Sequence, residues 1–472
     1  MRGVILLILI VVTGACLNLK VNKSEIEVLL KAGEFAKAEA ILKRNIEKSP
    51  WQEKQAHQIQ LETIDRIRKE FPYYRRDIEK QLEKYFPNIS DAQLDEWEAA
   101  KQLEMRVIDG EKRYFKRSVS NLFRLNTEAK KLKESVDGKR ISGSEKFQQT
   151  AIPGYFGNGL QPGKSFDSRT IKVNYTITLK ANAVSAGEMV RCWLPYPRIN
   201  RERLPEVTLI DASQEEYIIA PEETMQRTVY MEKQAVNNEE TVFNVSYSFK
   251  SVAQWFDVKP EQARPYKKST EFYKKFTAER LPNITFSKRI SSTAKQIVGA
   301  ETNPVKQVEL LFYWIDKNIP WAGALEYSTM DCIPKYVLEN GHGDCGMKTF
   351  LLLSMTRSLG IPCKWQSGWY LLPEEKNLHD WAEVYYEGIG WVPVDPSFGL
   401  IDSEDQRVKK FYLNGLDSYR LIINDDYSQE LYPPKKHYRS EPYDFQRGEL
   451  EWDGGNLYFD SWSYKMQVEY LD

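Results

Sequence analysis

The chain has little cysteine and less histidine, 5 and 4 among 472 residues. Five cysteines are too few for a disulfide scaffold, and no CxxC pair offers a zinc site. Any imidazole chemistry must use His57, His342, His379 or His437. Charge of one sign is also missing: 66 Lys+Arg stand against 67 Asp+Glu, a net of −1, so no basic field marks nucleic acid as a partner. Beyond the first residues, no apolar run reaches the ~18 to 20 residues that span a bilayer. What is present is 42% hydrophobic and 12% aromatic content, enough for real cores, and a length that suggests about three domains.

The amino terminus reads Arg2, then nine apolar residues from Val4 to Val12, then Thr13-Gly14-Ala15-Cys16. A basic start, a short apolar core and small residues before a cut form a secretory signal over 1–15. Val12-Thr13-Gly14-Ala15-Cys16 resembles the lipobox of bacterial lipoproteins, with Thr13 where that family prefers Leu. The resemblance implies lipidation at Cys16 and a lipid-anchored protein of the bacterial cell envelope, at the outer membrane or periplasmic face in a Gram-negative cell. Leu17-Asn18 follows without the Asp that in such lipoproteins often goes with inner-membrane retention.

Residues 16–137 read as a helical region. Ser24-Glu25-Ile26-Glu27 and Ser90-Asp91-Ala92-Gln93 fit capping boxes. Ile26, Leu29 and Leu30, then Phe35, Ala38, Ile41 and Leu42, recur at helical spacing around Gly33, which predicts a helical hairpin. This stretch looks like half a tetratricopeptide repeat, and the region is read as a spacer or as the docking surface for a protein partner. Six glycines and two prolines between Asp137 and Ser168 predict a linker over 138–168. Period-two patterns at Ile171–Leu179 and Val242–Phe249 then predict a β-sandwich-like domain over 169–264.

From 265 to 400 helices and strands mix. A helix is predicted near Pro304–Ile319, with Val308, Leu310, Leu311, Trp314 and Ile315 as its stripe, and another over Cys345–Leu359. Strands are predicted at Lys364–Leu371, His379–Glu387 and Trp391–Asp395. The tail, 401–472, reads as a β-rich extension with a turn at Asp453-Gly454-Gly455 and alternation from Trp462 to Tyr470 that should pair with a sheet.

Gly343-Asp344-Cys345-Gly346 sets a cysteine in the first turn of a helix, where free amides and the helix dipole favour a thiolate. His379 and Asp395 lie on two strands joined through Glu387-Gly388-Ile389-Gly390. A two-residue loop at Gly388-Ile389 would put them on opposite faces; an odd loop such as Gly388-Ile389-Gly390 puts them on one. A three-residue loop or bulge is therefore expected, with Gly390 at positive φ.

Gly-Asp-Cys at a helix start, His379-Asp380-Trp381 in a strand and Gly390-Trp391-Val392-Pro393-Val394-Asp395-Pro396 on the next resemble the transglutaminase-like superfamily over about 270–400. The resemblance implies an α+β multidomain protein: the helical region, the β-sandwich-like domain, a papain-like core with the cysteine helix packed on an antiparallel sheet, and the β-rich tail. It implies a catalytic triad of Cys345, His379 and Asp395, with Trp321, 24 residues before the cysteine, as an oxyanion candidate. The implied activity is a cysteine acyltransferase or amidohydrolase/protease acting on amide bonds of a peptide, protein or glycopeptide through a thioester, without a cofactor. The alternative is a catalytically silent binding or assembly lipoprotein on the same scaffold.

The remaining candidates carry plainer readings. Cys192 and Cys363 fit buried strand positions, His342 reads as a loop residue, and His57 and His437 read as solvated. Trp381 and Trp391 read as core aromatics. Asn424-Asp425-Asp426 lacks the spaced ligands and glycine of a calcium loop, so no metal is assigned.

Overall fold

The structure is a computed structural model that describes residues 23–199 and 202–471. The signal segment, Cys16 and the capping side chain of Ser24 lie outside the described residues. The described residues form two compact units: one contains 23–78 and the segment Met105–Lys116, the other Glu79–Glu104 and the described residues from Arg117 onward.

In the first unit the predicted hairpin is present as helices Lys23–Lys31 and Phe35–Lys48. Ile26, Phe35, Ala38 and Leu42 are buried, as the apolar spacing requires. A third helix, Trp51–Glu70, follows. His57 is not solvated, as expected from its polar neighbours, but 3% exposed, because it lies seven residues before Ile64 and so shares its inward face. The helical reading also missed a β-hairpin, Met105–Ile108 with Glu111–Tyr114. Its turn is Asp109-Gly110, both at positive φ, the pair that a two-residue hairpin favours.

Among the described residues the second unit holds three antiparallel sheets. One runs in the order Gly390–Val394, Lys376–Tyr386, Cys363–Leu371, Arg420–Asn424. The cysteine helix, Cys345–Ser358, packs on its two central strands. Every residue from Cys345 to Arg357 is buried, which explains why this helix has no polar stripe. Its neighbour Pro304–Asn318 buries Val305, Val308, Leu311, Phe312 and Ile315, whereas Leu310 is 37% exposed.

The other two sheets share an apolar core that includes Ile171, Val173, Val190, Leu194, Met231 and Phe243. Neither is built from 169–264 alone. Trp462–Tyr470 pairs along Ser165–Leu179, and Glu449–Trp452 pairs with Met189–Pro195, so the tail finds the sheets that its alternation called for.

The expected linker over 138–168 is largely ordered. Helix Gly143–Gly157 is capped by Ser142, whose hydroxyl accepts from Glu145 N at 3.0 Å. The density of breakers is outweighed by apolar burial: Ile152 is fully buried, and Phe147, Tyr155 and Phe156 pack on the core. The first long strand already begins at Ser165.

Candidate active site

Asp344 caps the cysteine helix: its Oδ1 accepts from Met347 N at 3.1 Å and from the Tyr327 hydroxyl. Gly346 is required by close approach, since a Cβ there would meet Tyr327 Oη and lie 2.8 Å from Asp380 Oδ2. Cys345 is 8% exposed. Its sulfur donates to Asp380 Oδ2 at 3.2 Å. This environment works against the thiolate that the helix start favours. Burial pushes the thiol well up, and the Asp380 and Asp344 carboxylates push it further, against the helix-start amides.

His379 lies on the strand Lys376–Tyr386 and is fully enclosed. Its ring centroid is 4.7 Å from that of Phe398 and 5.4 Å from that of Tyr370. Nε2 lies 2.6 Å from Asp395 Oδ2. The hairpin between them pairs Tyr386 with Gly390 and Ala382 with Val394, so the loop is the three residues Glu387–Ile389. The loop is odd, as face parity requires, and one residue earlier than drawn from the sequence; Gly390 has φ +107°.

Asp395 follows directly on the strand Gly390–Val394. Its Oδ1 accepts from Ser397 N at 3.1 Å and Phe398 N at 3.0 Å, and its Oδ2 accepts from Arg420 Nη1 at 2.9 Å. Burial alone would raise this carboxyl, but His379, Arg420 and the backbone amides hold it well below the usual range. Burial lowers His379, Asp395 opposes that, and Arg420 adds to it. The structure thus joins His379 to Asp395 and sets Cys345 against the residue after His379.

Trp321 is brought beside the cysteine loop. It forms a parallel bridge with Gly343, flanked by Ala322 N to Gly343 O at 3.2 Å and Gly343 N to Pro320 O at 3.3 Å. The Arg124 guanidinium covers its ring at 4.5 Å. His342 is 4% exposed and edge-on to Tyr336; burial pushes its imidazole down to about 4, which leaves it neutral. Cys192 and Cys363 are fully buried, and the four described cysteines are free. Trp381 is fully buried, whereas Trp391 is half-buried beside Phe276. Asp425 is occupied by Lys364 and Asp426 by Arg280.

Three further residues complete the site: Asp380, Arg420 and Gln446. Asp380 stands inside the His379-Asp380-Trp381 motif, where a carboxylate next to the candidate base is the signal for it. Arg420 and Gln446 come from the extension, and nothing local in the sequence marks them.

Residues 291–396 match the family model of the transglutaminase-like superfamily. An uncharacterized protein of Haemophilus influenzae is 25% identical over 190 residues, covering 32% of this chain and 50% of that one. The chain therefore spans half the length of the curated relative it matches. Among solved structures, a candidate cysteine protease from Cytophaga hutchinsonii is similar at TM-score 0.43 and 15% identity, over 65% of this chain and 92% of the other. The periplasmic domain of TgpA from Pseudomonas aeruginosa is similar at TM-score 0.25 and 13% identity, over 58% and 96%. Residues 291–396 are a transglutaminase-like core domain, and Cys345, His379 and Asp395 all fall inside it.

Proposed function

We propose that the chain is a thiol enzyme of transglutaminase-like type, with Cys345 as nucleophile, His379 as base and Asp395 as the group that orients the base. The observation that carries this reading is the 2.6 Å contact of His379 Nε2 with Asp395 Oδ2, on a sheet against which the cysteine helix begins. An ionised Asp395 can only accept, so Nε2 carries the hydrogen and Nδ1 keeps a lone pair for the thiol proton. The thiolate attacks an amide carbonyl, and the oxyanion is held by the Cys345 backbone N–H and the Trp321 indole. The imidazolium protonates the leaving amine as the C–N bond breaks, and the thioester is resolved by water or by an amine.

The substrate in this reading is an amide of a peptide, protein or glycopeptide. The N-terminal pattern ending at Cys16 supports a place at the cell envelope, held by lipid. Among the described residues no helix is long and apolar enough to cross a membrane. The N-terminal helical region, 16–137, is the proposed docking surface for a protein partner.

One observation favours the silent alternative: the buried Cys345 thiol donates to a carboxylate, which opposes ionisation. Iodoacetamide at mildly acidic pH separates the two. The enzyme reading expects Cys345 to be alkylated faster than the same cysteine in the unfolded chain, with Cys345→Ala abolishing that fast phase and His379→Gln slowing it. Equal labelling of wild type and Cys345→Ala would overturn it.

A further inference from the structure

Asp380 follows His379 in its strand and faces the start of the cysteine helix. Its two oxygens have different partners. Oδ2 faces Cys345 Sγ at 3.2 Å, and Oδ1 accepts from Gln446 Nε2 at 2.8 Å. The same Nε2 donates to the His379 carbonyl at 2.9 Å. A carbonyl can only accept, so the amide orientation is determined and both hydrogens of the NH2 group are used. Gln446 is itself held by Glu441 Oε2, which accepts from Gln446 N at 2.7 Å, and by its own carbonyl, which accepts from Trp369 Nε1 at 3.0 Å. Oδ1 of Asp380 is therefore an acceptor in either protonation state, and a carboxyl proton has one place to sit, on Oδ2, aimed at the sulfur.

We propose that Asp380 is a fourth catalytic residue, whose Oδ2–H donates to the Cys345 thiolate, and that Gln446 of the C-terminal extension positions it for that task. The inference rests on the assignment of Cys345 as nucleophile. In the step itself the thiol proton passes to His379 Nδ1 while the carboxyl proton stays on Oδ2. The new thiolate then receives a hydrogen bond from the carboxyl O–H, across the contact that the thiol makes with Oδ2. When the C–S bond forms, the carboxyl releases the sulfur without losing its proton. When Asp380 is ionised the polarity reverses: the S–H donates to the carboxylate, and the nucleophile is held as thiol.

The surroundings suit the acid form. Asp344 and Cys345 face Asp380 from the cysteine helix, Tyr327 from the turn Tyr327–Thr329, and Glu441 and Asp444 from the extension; Arg447 acts on Asp444 and Arg117 on Asp344, and His379 lies on its own strand. Burial first, then Asp444 and Asp344, push the Asp380 carboxyl well up, and Asp444 is itself pushed up to about 7. A carboxylic acid kept neutral by an apolar, acid-rich site can donate a hydrogen bond near neutral pH.

The test is the rate of iodoacetamide alkylation of Cys345, read by peptide mass spectrometry between pH 5 and 9, in the full chain and in Asp380→Asn, Asp380→Ala and Cys345→Ala. Asn keeps the shape: its oxygen accepts from Gln446 and its NH2 replaces the donor at Oδ2 permanently. The expected result is that Asp380→Asn matches wild type at the acid end and exceeds it on the order of tenfold at the alkaline end, the effect of about one pH unit on the thiolate fraction. Asp380→Ala should be about tenfold slower than Asp380→Asn throughout. Superimposable wild-type and Asn profiles, or an Asn variant as slow as Ala, would overturn the inference alone. A Cys345 that no chain alkylates faster than its unfolded form would overturn the nucleophile assignment, and the inference with it.

Discussion

Arg420 and His379 meet on one oxygen atom: Asp395 Oδ2 accepts from Arg420 Nη1 at 2.9 Å and lies 2.6 Å from His379 Nε2. The other side of the guanidinium is held by Asp417 Oδ2, 3.0 Å from Nε and 2.8 Å from Nη2. All four groups are 2% exposed or less.

Arg420→Leu removes the cation between two buried carboxylates and is expected to cost about 3 to 5 kcal/mol of stability, the usual consequence of leaving buried charges unpaired. Arg420→Lys keeps the charge but cannot reproduce the fork, and should fall between Leu and wild type. Urea unfolding at pH 7 checks this, and a loss below about 1 kcal/mol for Leu would show that the triangle of charges is not structurally important.

Asn121 grips the segment that carries Trp321. Its Nδ2 donates to Gly323 O at 2.9 Å and its Oδ1 accepts from Gly323 N at 2.8 Å. Asn121→Ala leaves both backbone groups buried without these partners, at about 1 to 3 kcal/mol each before water enters. Trp321 fluorescence should become more quenchable by acrylamide in this variant when the other eleven tryptophans of the chain are taken as a common background from a Trp321→Phe control. Quenching identical to wild type would mean that Asn121 does not position the indole.

His342 makes stability fall in mild acid. Its folded value of about 4 lies below the unfolded 6.5, so the unfolded chain takes the proton first. The contribution is fully present above pH 6.5 and is lost as the pH drops toward 4. At about 1.4 kcal/mol per pH unit the full linkage is on the order of 3 kcal/mol. His379 is lowered in the same direction, so the wild-type slope contains both. His342→Gln should flatten the dependence of urea stability on pH between 7 and 4; an unchanged slope would refute the assignment.

Gly346→Ala forces a methyl group against Tyr327 Oη and Asp380 Oδ2. Overpacking of this kind costs about 1 to 3 kcal/mol. Because the displaced atom is the acceptor of the Cys345 thiol, alkylation of Cys345 should change as well. A variant with wild-type melting and wild-type alkylation would show that the helix start can move away freely.

Much of the site was legible. The setting of Cys345 was readable from Gly343-Asp344 before a helical run, and the odd length of the hairpin loop, though not its position, followed from parity, because side chains alternate along a strand. The tail alternation at Trp462–Tyr470 correctly demanded a sheet, but not which one, since any strand with a complementary edge satisfies the pattern. Composition misled where burial overrode it. Six glycines suggested a linker at 138–168, yet Ile152, Phe147, Tyr155 and Phe156 had enough apolar surface to order a helix. Asp109-Gly110 was a readable turn passed over because helical spacing dominated on both sides.

By itself, then, the sequence determined which residue types could do chemistry and in what local setting: a cysteine at a helix start, a histidine in one strand and an aspartate at the end of the next. Only the tertiary structure decided their electrostatics and their company. Helix-start amides favour a thiolate over one turn of chain, but burial and the neighbouring Asp380 and Asp344 act through space and oppose it. Arg420 and Gln446 reach Asp395 and Asp380 across 25 and 66 residues of chain, and no local pattern can encode a contact that exists only after the sheets have formed.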